Sequence, residues 1–248
     1  MKVIDIFNFL NQKFPVDTAC DFDNVGLLIG DGEQPVTKIL ISLDCTNDAI
    51  DRAIENGCEL IITHHPVIFN PLKNLLKGSI PYEIVRNNIS VISMHTNLDV
   101  GIGGVNDTLC NTLNPLEAET VIASDGYALK KCVVSPISAN KLAESLKLNL
   151  GGSVRYTDSG KIIETVLVCS GSGGSFVEEV KSFGCDALVT ADVKHNQFLE
   201  ADRLGISIFD AGHFNTEDVV IEPVKELLQA EFSDIVFITN HNNAIKYV

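Results

Sequence analysis

Short aliphatic runs, each cut off by polar residues, recur along the chain and predict strands: ILIS (39–42), LIIT (60–63), VLVC (166–169) and ALVT (187–190). Between the members of each pair lies a stretch with apolar residues at helical spacing, Ala49, Ala53 and Ile54 in one case and Phe176, Val177 and Val180 in the other, each closed by a glycine. The first fifteen residues, MKVIDIFNFLNQKFP, place Asp5, Asn8 and Gln12 inside a helical apolar pattern. They lack the apolar core and small-residue cleavage site of a signal peptide, so a helix is expected there.

These elements form a duplication. KILISLDCTNDAIDRAIENGCELIITHH (38–65) lies without a gap on TVLVCSGSGGSFVEEVKSFGCDALVTAD (165–192), with Gly57-Cys58-Glu59 on Gly184-Cys185-Asp186. Each copy reads strand, helix, strand. The likeness continues: ISVISMHTNLD runs into His95 with Asp99 four residues on, and ISIFDAGHFNTE runs into His213 with Glu217 four residues on. A helical stretch follows each, GGVNDTLCNTL and DVVIEPVKELLQAEF, with Pro223 near a helix start or kink. The expected fold is α/β, two related halves, with a boundary near Asp125 where ASDGYA supplies turn chemistry: residues 1–124 carrying His64, His65 and Asp99, and 125–248 carrying His213 and Glu217. SGSGG (170–174) lacks the lysine and spacing of a phosphate loop and reads as a tight strand-to-helix turn.

The strand ends carry the chemistry. LIIT stops at two adjacent histidines, His64 and His65, and Pro66 then ends the ladder, so the pair reads as a loop at the carboxyl end of a strand. Four strand ends carry His64 with His65, His95 with Asp99, Asp192 with His195, and His213 with Glu217; His241 sits in a polar tail and reads as a surface residue. Parallel strands that bring these ends together make a nitrogen and oxygen site without sulfur, suited to zinc, iron, manganese or nickel. Three imidazoles and two carboxylates exceed one catalytic zinc's usual protein ligands, and carboxylates can bridge two ions about 3.5–4 Å apart. His95 and His195 read either as groups orienting a ligand or as proton-transfer groups, His195 together with Asp192. Asp99 and Glu217 near helix N-termini also suit capping.

Composition narrows the partners. The 248-residue chain has 45% hydrophobic residues and a net charge of -15, which argues against direct nucleic-acid binding. No apolar run is long enough to span a bilayer. Seven scattered cysteines without a C-x-x-C indicate neither a disulfide framework nor a thiolate zinc site, so a cytoplasmic protein is expected, with Cys58 and Cys185 as small core residues.

FDNVGLLIG (22–30), THHPVIF (63–69), HTNLDVGIGGVND (95–107), DALVTADVKHNQFLEA (186–201) and DAGHFNTE (210–217) resemble, in order, the signatures of the NIF-three-like family. Its bacterial members are named dinuclear metal centre proteins or GTP cyclohydrolase 1 type 2 homologues, and this chain resembles the short form without an inserted middle domain. The resemblance implies a two-half α/β/α fold, a pair of divalent ions in the cleft between the halves, and toroidal homohexamers. Carried over by motif, the ligands are His64, His65, Asp99, His213 and Glu217. The fourth motif departs from the family, with Ala191 before Asp192 and Asn196 after His195, so a role needing a second histidine there is not carried over. The implied activity is a metal-dependent hydrolase acting on a small nucleotide-like or phosphate-bearing substrate, in the named case GTP ring opening by water at C8, with His195 or His95 as general acid or base. The other class compatible with the same ligands is a non-catalytic metal-binding or regulatory ring protein.

Overall fold

The computed structural model describes residues 1–246. They divide into two compact units, one of residues 1–104 with 221–244 and one of residues 105–220 with the tail from Ile245. The chain enters through α1 (Val3–Lys13), the helix expected there, and continues with β1 (Gly26–Ile29), β2 (Lys38–Ser42), α2 (Asn47–Asn56), β3 (Leu60–Thr63), α3 (Ile80–Arg86), β4 (Ser90–Ser93) and α4 (Thr96–Val100). The second unit runs α5 (Val105–Asn111), β5 (Glu117–Ile122), β6 (Ala128–Ile137), α6 (Ala139–Leu150), β7 (Arg155–Tyr156), β8 (Ile163–Val168), α7 (Glu179–Ser182), β9 (Ala187–Thr190), α8 (His195–Leu204), β10 (Ser207–Asp210) and α9 (His213–Glu217). The chain then returns to the first unit with α10 (Ile221–Glu231) and β11 (Val236–Asn240).

The first sheet has the order β1-β4-β3-β2-β11, parallel except for β1 on β4. The second has the order β5-β6-β8-β9-β10-β7, with β8, β9 and β10 parallel and antiparallel strands on both sides. Strands β3, β4, β9 and β10 are buried at every position, as expected of parallel strands covered on both faces. The alternation is visible in the second sheet. Val166, Val168 and Phe209 pack with Leu109 of α5 and Leu142 and Leu146 of α6, while Leu167, Leu188 and Ile208 pack with Val180 of α7 and Ala201 of α8. In the first sheet Leu40, Ile61 and Val91 pack under Ala49, Ile50 and Ala53 of α2 and Ile84 of α3.

The duplication holds in atomic detail. Gly57 and Gly184 both take left-handed backbone, φ 67° and 66°, and stop their helices. Cys58 N donates to Ala53 O and Cys185 N to Val180 O, each at 2.8 Å. Both cysteines are buried, and burial pushes both thiols up to about 11. Glu59 accepts from the amides of Thr37 and Lys38, and Asp186 from those of Glu164 and Thr165, so the same carboxylate latch closes the start of β2 and of β8.

Two expectations change. The turn at Asp125 is not a domain boundary: it joins β5 to β6 within one sheet, with Ala123 N donating to Tyr127 O. The chain changes unit instead at Gly104/Val105 and again at Val220/Ile221, after the last strand of each copy. The helix that follows each copy therefore packs in the opposite unit, α5 against β6 and β8, and α10 against β2 and β11. The helix expected around Phe176 and Val180 is also broken, a 3-10 turn (Gly174–Val177) followed by the short α7, because Gly173 and Gly174 at its start favour the turn over a regular helix.

Candidate metal centre

In the first unit, His64 and His65 follow β3, and His95 follows β4. The three imidazole rings gather with centroids 5.0, 5.1 and 5.4 Å apart. Each of these residues offers a ring nitrogen within 4.8 Å of the others. Asp99, 6% exposed on α4, places Oδ1 3.5 Å from His64 Nε2. A buried carboxylate beside a buried imidazole is costly unless a cation is shared between them.

The opposite ring nitrogens are engaged. His64 Nδ1 donates to Met94 O (2.9 Å), His65 Nδ1 to Asp44 Oδ1 (2.7 Å) and His95 Nδ1 to Asp23 Oδ1 (2.9 Å). Asp23 is itself fixed, Oδ2 accepting from Thr96 N and Thr96 Oγ1 at 3.0 and 2.6 Å. Burial opposes its charge, but the bonds from His95 and Thr96 outweigh that and hold the carboxyl well below the usual carboxylate range.

In the second unit, His213 and Glu217 are the first and last residues of α9, one helical turn apart, so both side chains lie on one face. His213 Nε2 lies 3.0 Å from Glu217 Oε2, and Nδ1 lies 2.8 Å from Asp192 Oδ2. Asp192 reaches it from a left-handed turn, φ 52°, beyond β9. The bond to Glu217 raises the imidazole most; burial lowers it, and Asp192 adds to the rise, leaving His213 pushed up to about 9. Gly171, in the turn after β8, approaches so closely that a Cβ there would stand 2.0 Å from Glu217 Oε1. Three of the five amides of SGSGG are spent inside the fold, Ser170 N on Asn106, Gly171 N on Thr216 Oγ1 and Gly173 N on Thr190 Oγ1, which fits a structural turn.

The raised His213 sets a sign for stability. Its folded value near 9 exceeds the ordinary 6.5, so the pair's contribution is complete below pH 6.5 and is lost as pH rises through about 9. For the metal-free chain the loss should be about 2 kcal/mol once partial exposure is allowed for. Thermal melts of chelator-treated protein between pH 6 and 10 should show it. A flat profile would mean that Glu217 does not hold a proton on His213.

The candidate residues thus fall into two sets. His64, His65, Asp99 and His95 come together in the first unit, and His213 with Glu217 in the second. The His-x-x-x-acid spacing does different work in the two copies: His213 faces Glu217, whereas His95 turns to Asp23 and Asp99 to His64. His195 is not gathered. It is the exposed first residue of α8 and belongs to no metal-capable group among the described residues. The expected pairing of His195 with Asp192 gives way to that of Asp192 with His213, because the turn at Asp192 directs its carboxylate there. His241 is exposed and bonds Glu222. Asp44 and Asp23 were not legible as partners of the histidines, although both follow or precede strands at the same sheet. No cysteine joins a metal-capable group, and no helix is long and apolar enough to cross a membrane, both among the described residues.

The chain is 37% identical over 233 residues to a GTP cyclohydrolase 1 type 2 homolog of Clostridium acetobutylicum, covering 88% of this chain and 85% of the relative. It is 34% identical over 255 residues to GTP cyclohydrolase 1 type 2 of Helicobacter pylori, covering 99% of each. A Staphylococcus aureus hypothetical protein of known structure superposes with a TM-score of 0.93 at 27% identity, over 100% of this chain and 99% of that one. The Duf34/NIF3 (NGG1p interacting factor 3) profile matches residues 1–244, and the chain belongs to that family.

Proposed function

We propose that the chain is a dinuclear, divalent-metal-dependent hydrolase of a small nucleotide-like or phosphate-bearing substrate, with His64, His65, Asp99, His213 and Glu217 as ligands to two ions. The observation that carries this reading is the common orientation of the imidazoles. In His64, His65 and His213, Nδ1 is taken by a backbone carbonyl or carboxylate, the arrangement that fixes a metal-binding histidine with Nε2 toward the ion. The raised His213 supports it, since a proton shared with Glu217 occupies the place of a cation in a metal-free chain. Two such ions supply Lewis acidity to a substrate oxygen and to water.

The chain's own residues then position and move protons. Asp23 and Thr96 lock His95 in the tautomer whose Nε2 can accept a proton beside His64 and His65. Asp44 and Asp192 do the same orienting work behind His65 and His213. His195 is a second proton-transfer candidate, exposed at the start of α8.

The Helicobacter pylori relative is named GTP cyclohydrolase 1 type 2, which makes GTP the first substrate to test. Elemental analysis of the purified chain should find close to two divalent ions, and the loaded protein should turn over GTP or another member of a nucleotide and phosphoester panel. His95→Gln and His195→Ala should keep both ions and lower turnover, His95→Gln by about 10²–10⁴-fold. Two ions with no turnover across the panel would leave a non-catalytic metal-binding ring as the surviving reading; no bound ion would remove both. The assembly proposed with this function is a homohexamer, so sedimentation should give a species near six times the chain mass. A monomer across a wide concentration range contradicts the ring.

A further inference from the structure

The first unit carries two exposed aromatic side chains beside the imidazole cluster, Phe22 at 68% and Phe69 at 45% exposure. Isolated exposed phenylalanines need no explanation, but these are held in place. Their ring centroids lie 6.4 Å apart at 48° to each other, and the Phe69 ring stands 6.4 Å from His95, nearly perpendicular to it. The two loops that carry them are pinned together next to the rings, Asn24 Nδ2 donating to Ile68 O at 2.5 Å. Phe22 directly precedes Asp23, which holds His95 and Thr96, so the loop is anchored to the same network. Through Phe69 this exposed aromatic pair borders the imidazole cluster at His95.

From this we infer that Phe22 and Phe69 form an aromatic lip that stacks the planar heteroaromatic ring, of nucleobase type, of the substrate. The inference rests on the proposed reading of the site as one for a nucleotide-like molecule, and it assigns the base rather than the phosphates to this edge. Phenyl rings provide stacking area without hydrogen-bond readout, so the lip selects for a planar ring and tolerates which base it is. No guanidinium or ammonium takes part in the contacts that hold the two rings together.

The test compares GTP, guanosine and inorganic triphosphate as ligands of the metal-loaded, full-length protein by calorimetry, independently of turnover. Phe69→Ala and Phe22→Ala should each weaken GTP and guanosine by about 10-fold and leave inorganic triphosphate unchanged. Phe69→Trp should retain affinity, and it serves where the alanine variant fails to fold. Equal weakening of all three ligands, unchanged affinity for GTP, or no binding of GTP and guanosine by the wild type would each overturn the lip. So would loss of assembly in Phe69→Ala with base affinity intact, since the rings would then belong to a contact between copies. Failure of the hydrolase reading is seen separately, in ion content and in the absence of turnover, and guanosine stacking can survive it.

Discussion

His64→Ala is expected to lose most of its divalent metal and, with it, any turnover of the loaded protein. The side chain is 2% exposed, lies between Met94 O and Asp99, and touches both other imidazoles of its cluster. Changing only the partner behind a metal-binding imidazole lowers affinity by about 10–100-fold, and removing the imidazole should exceed that. Asp44→Asn supplies the comparison, because it leaves His65 in place and weakens only the group behind it. His64→Ala also leaves Met94 O without its histidine donor, at a cost of about 1–3 kcal/mol, so circular dichroism must show a native fold before ion content is compared. Ion content equal to the wild type in a folded His64→Ala chain would remove this residue from the ligand set.

Gly171→Ala should be the most damaging single methyl in the second unit. The backbone there has φ 56°, and the added carbon would stand 2.0 Å from Glu217 Oε1 and 3.4 Å from His213 Cε1. Left-handed backbone at an alanine costs about 1–2 kcal/mol. Relief of the collision must displace Glu217, which is 3% exposed and set by α9. A total near 3 kcal/mol or more is expected, with a lower melting temperature and lower ion content. Gly57→Ala is the control. Its φ is 67°, with nothing within 4 Å of the added carbon, so it should pay the backbone strain alone and keep its metal. Equal effects of the two substitutions would show that the approach of Gly171 to Glu217 is unimportant.

The duplication was legible because its signals are local: aliphatic runs of fixed length, a glycine stop and an acid after it. His64, His65, Asp99, His213 and Glu217 could be picked as candidate ligands for the same reason, each lying in the segment that follows a strand. What escaped depends on order within the sheets. Asp44 meets His65 because β2 and β3 are neighbours, and Asp23 meets His95 because the loop before β1 lies against the end of β4. Neither adjacency is written in spacing. The Asp-Gly at 125–126 is as good a hairpin turn as a linker, and only the pairing of β5 with β6 decides between them. The identical spacing of His95 to Asp99 and His213 to Glu217 concealed two different contacts, because helix α4 follows a histidine already captured by Asp23.

The return of α10 and β11 to the first unit has a consequence for how the chain is made. Residues 105–220 form a contiguous segment and have all their strands once Val220 has left the ribosome. The first unit is translated earlier but remains unfinished, with the flank of β2 open until β11, near the end of the chain, pairs along it from Lys38 to Ser42. An open parallel strand edge of Ile39, Leu40 and Ile41 is sticky, and its closure joins the two ends of the chain across a long loop, the slow kind of contact in folding. Chains ending between Val220 and Ile235, held on the ribosome by an added linker long enough to clear the exit tunnel, should therefore hold a protease-resistant second unit beside a first unit that is still cleavable, reversing the order in which the two were synthesised.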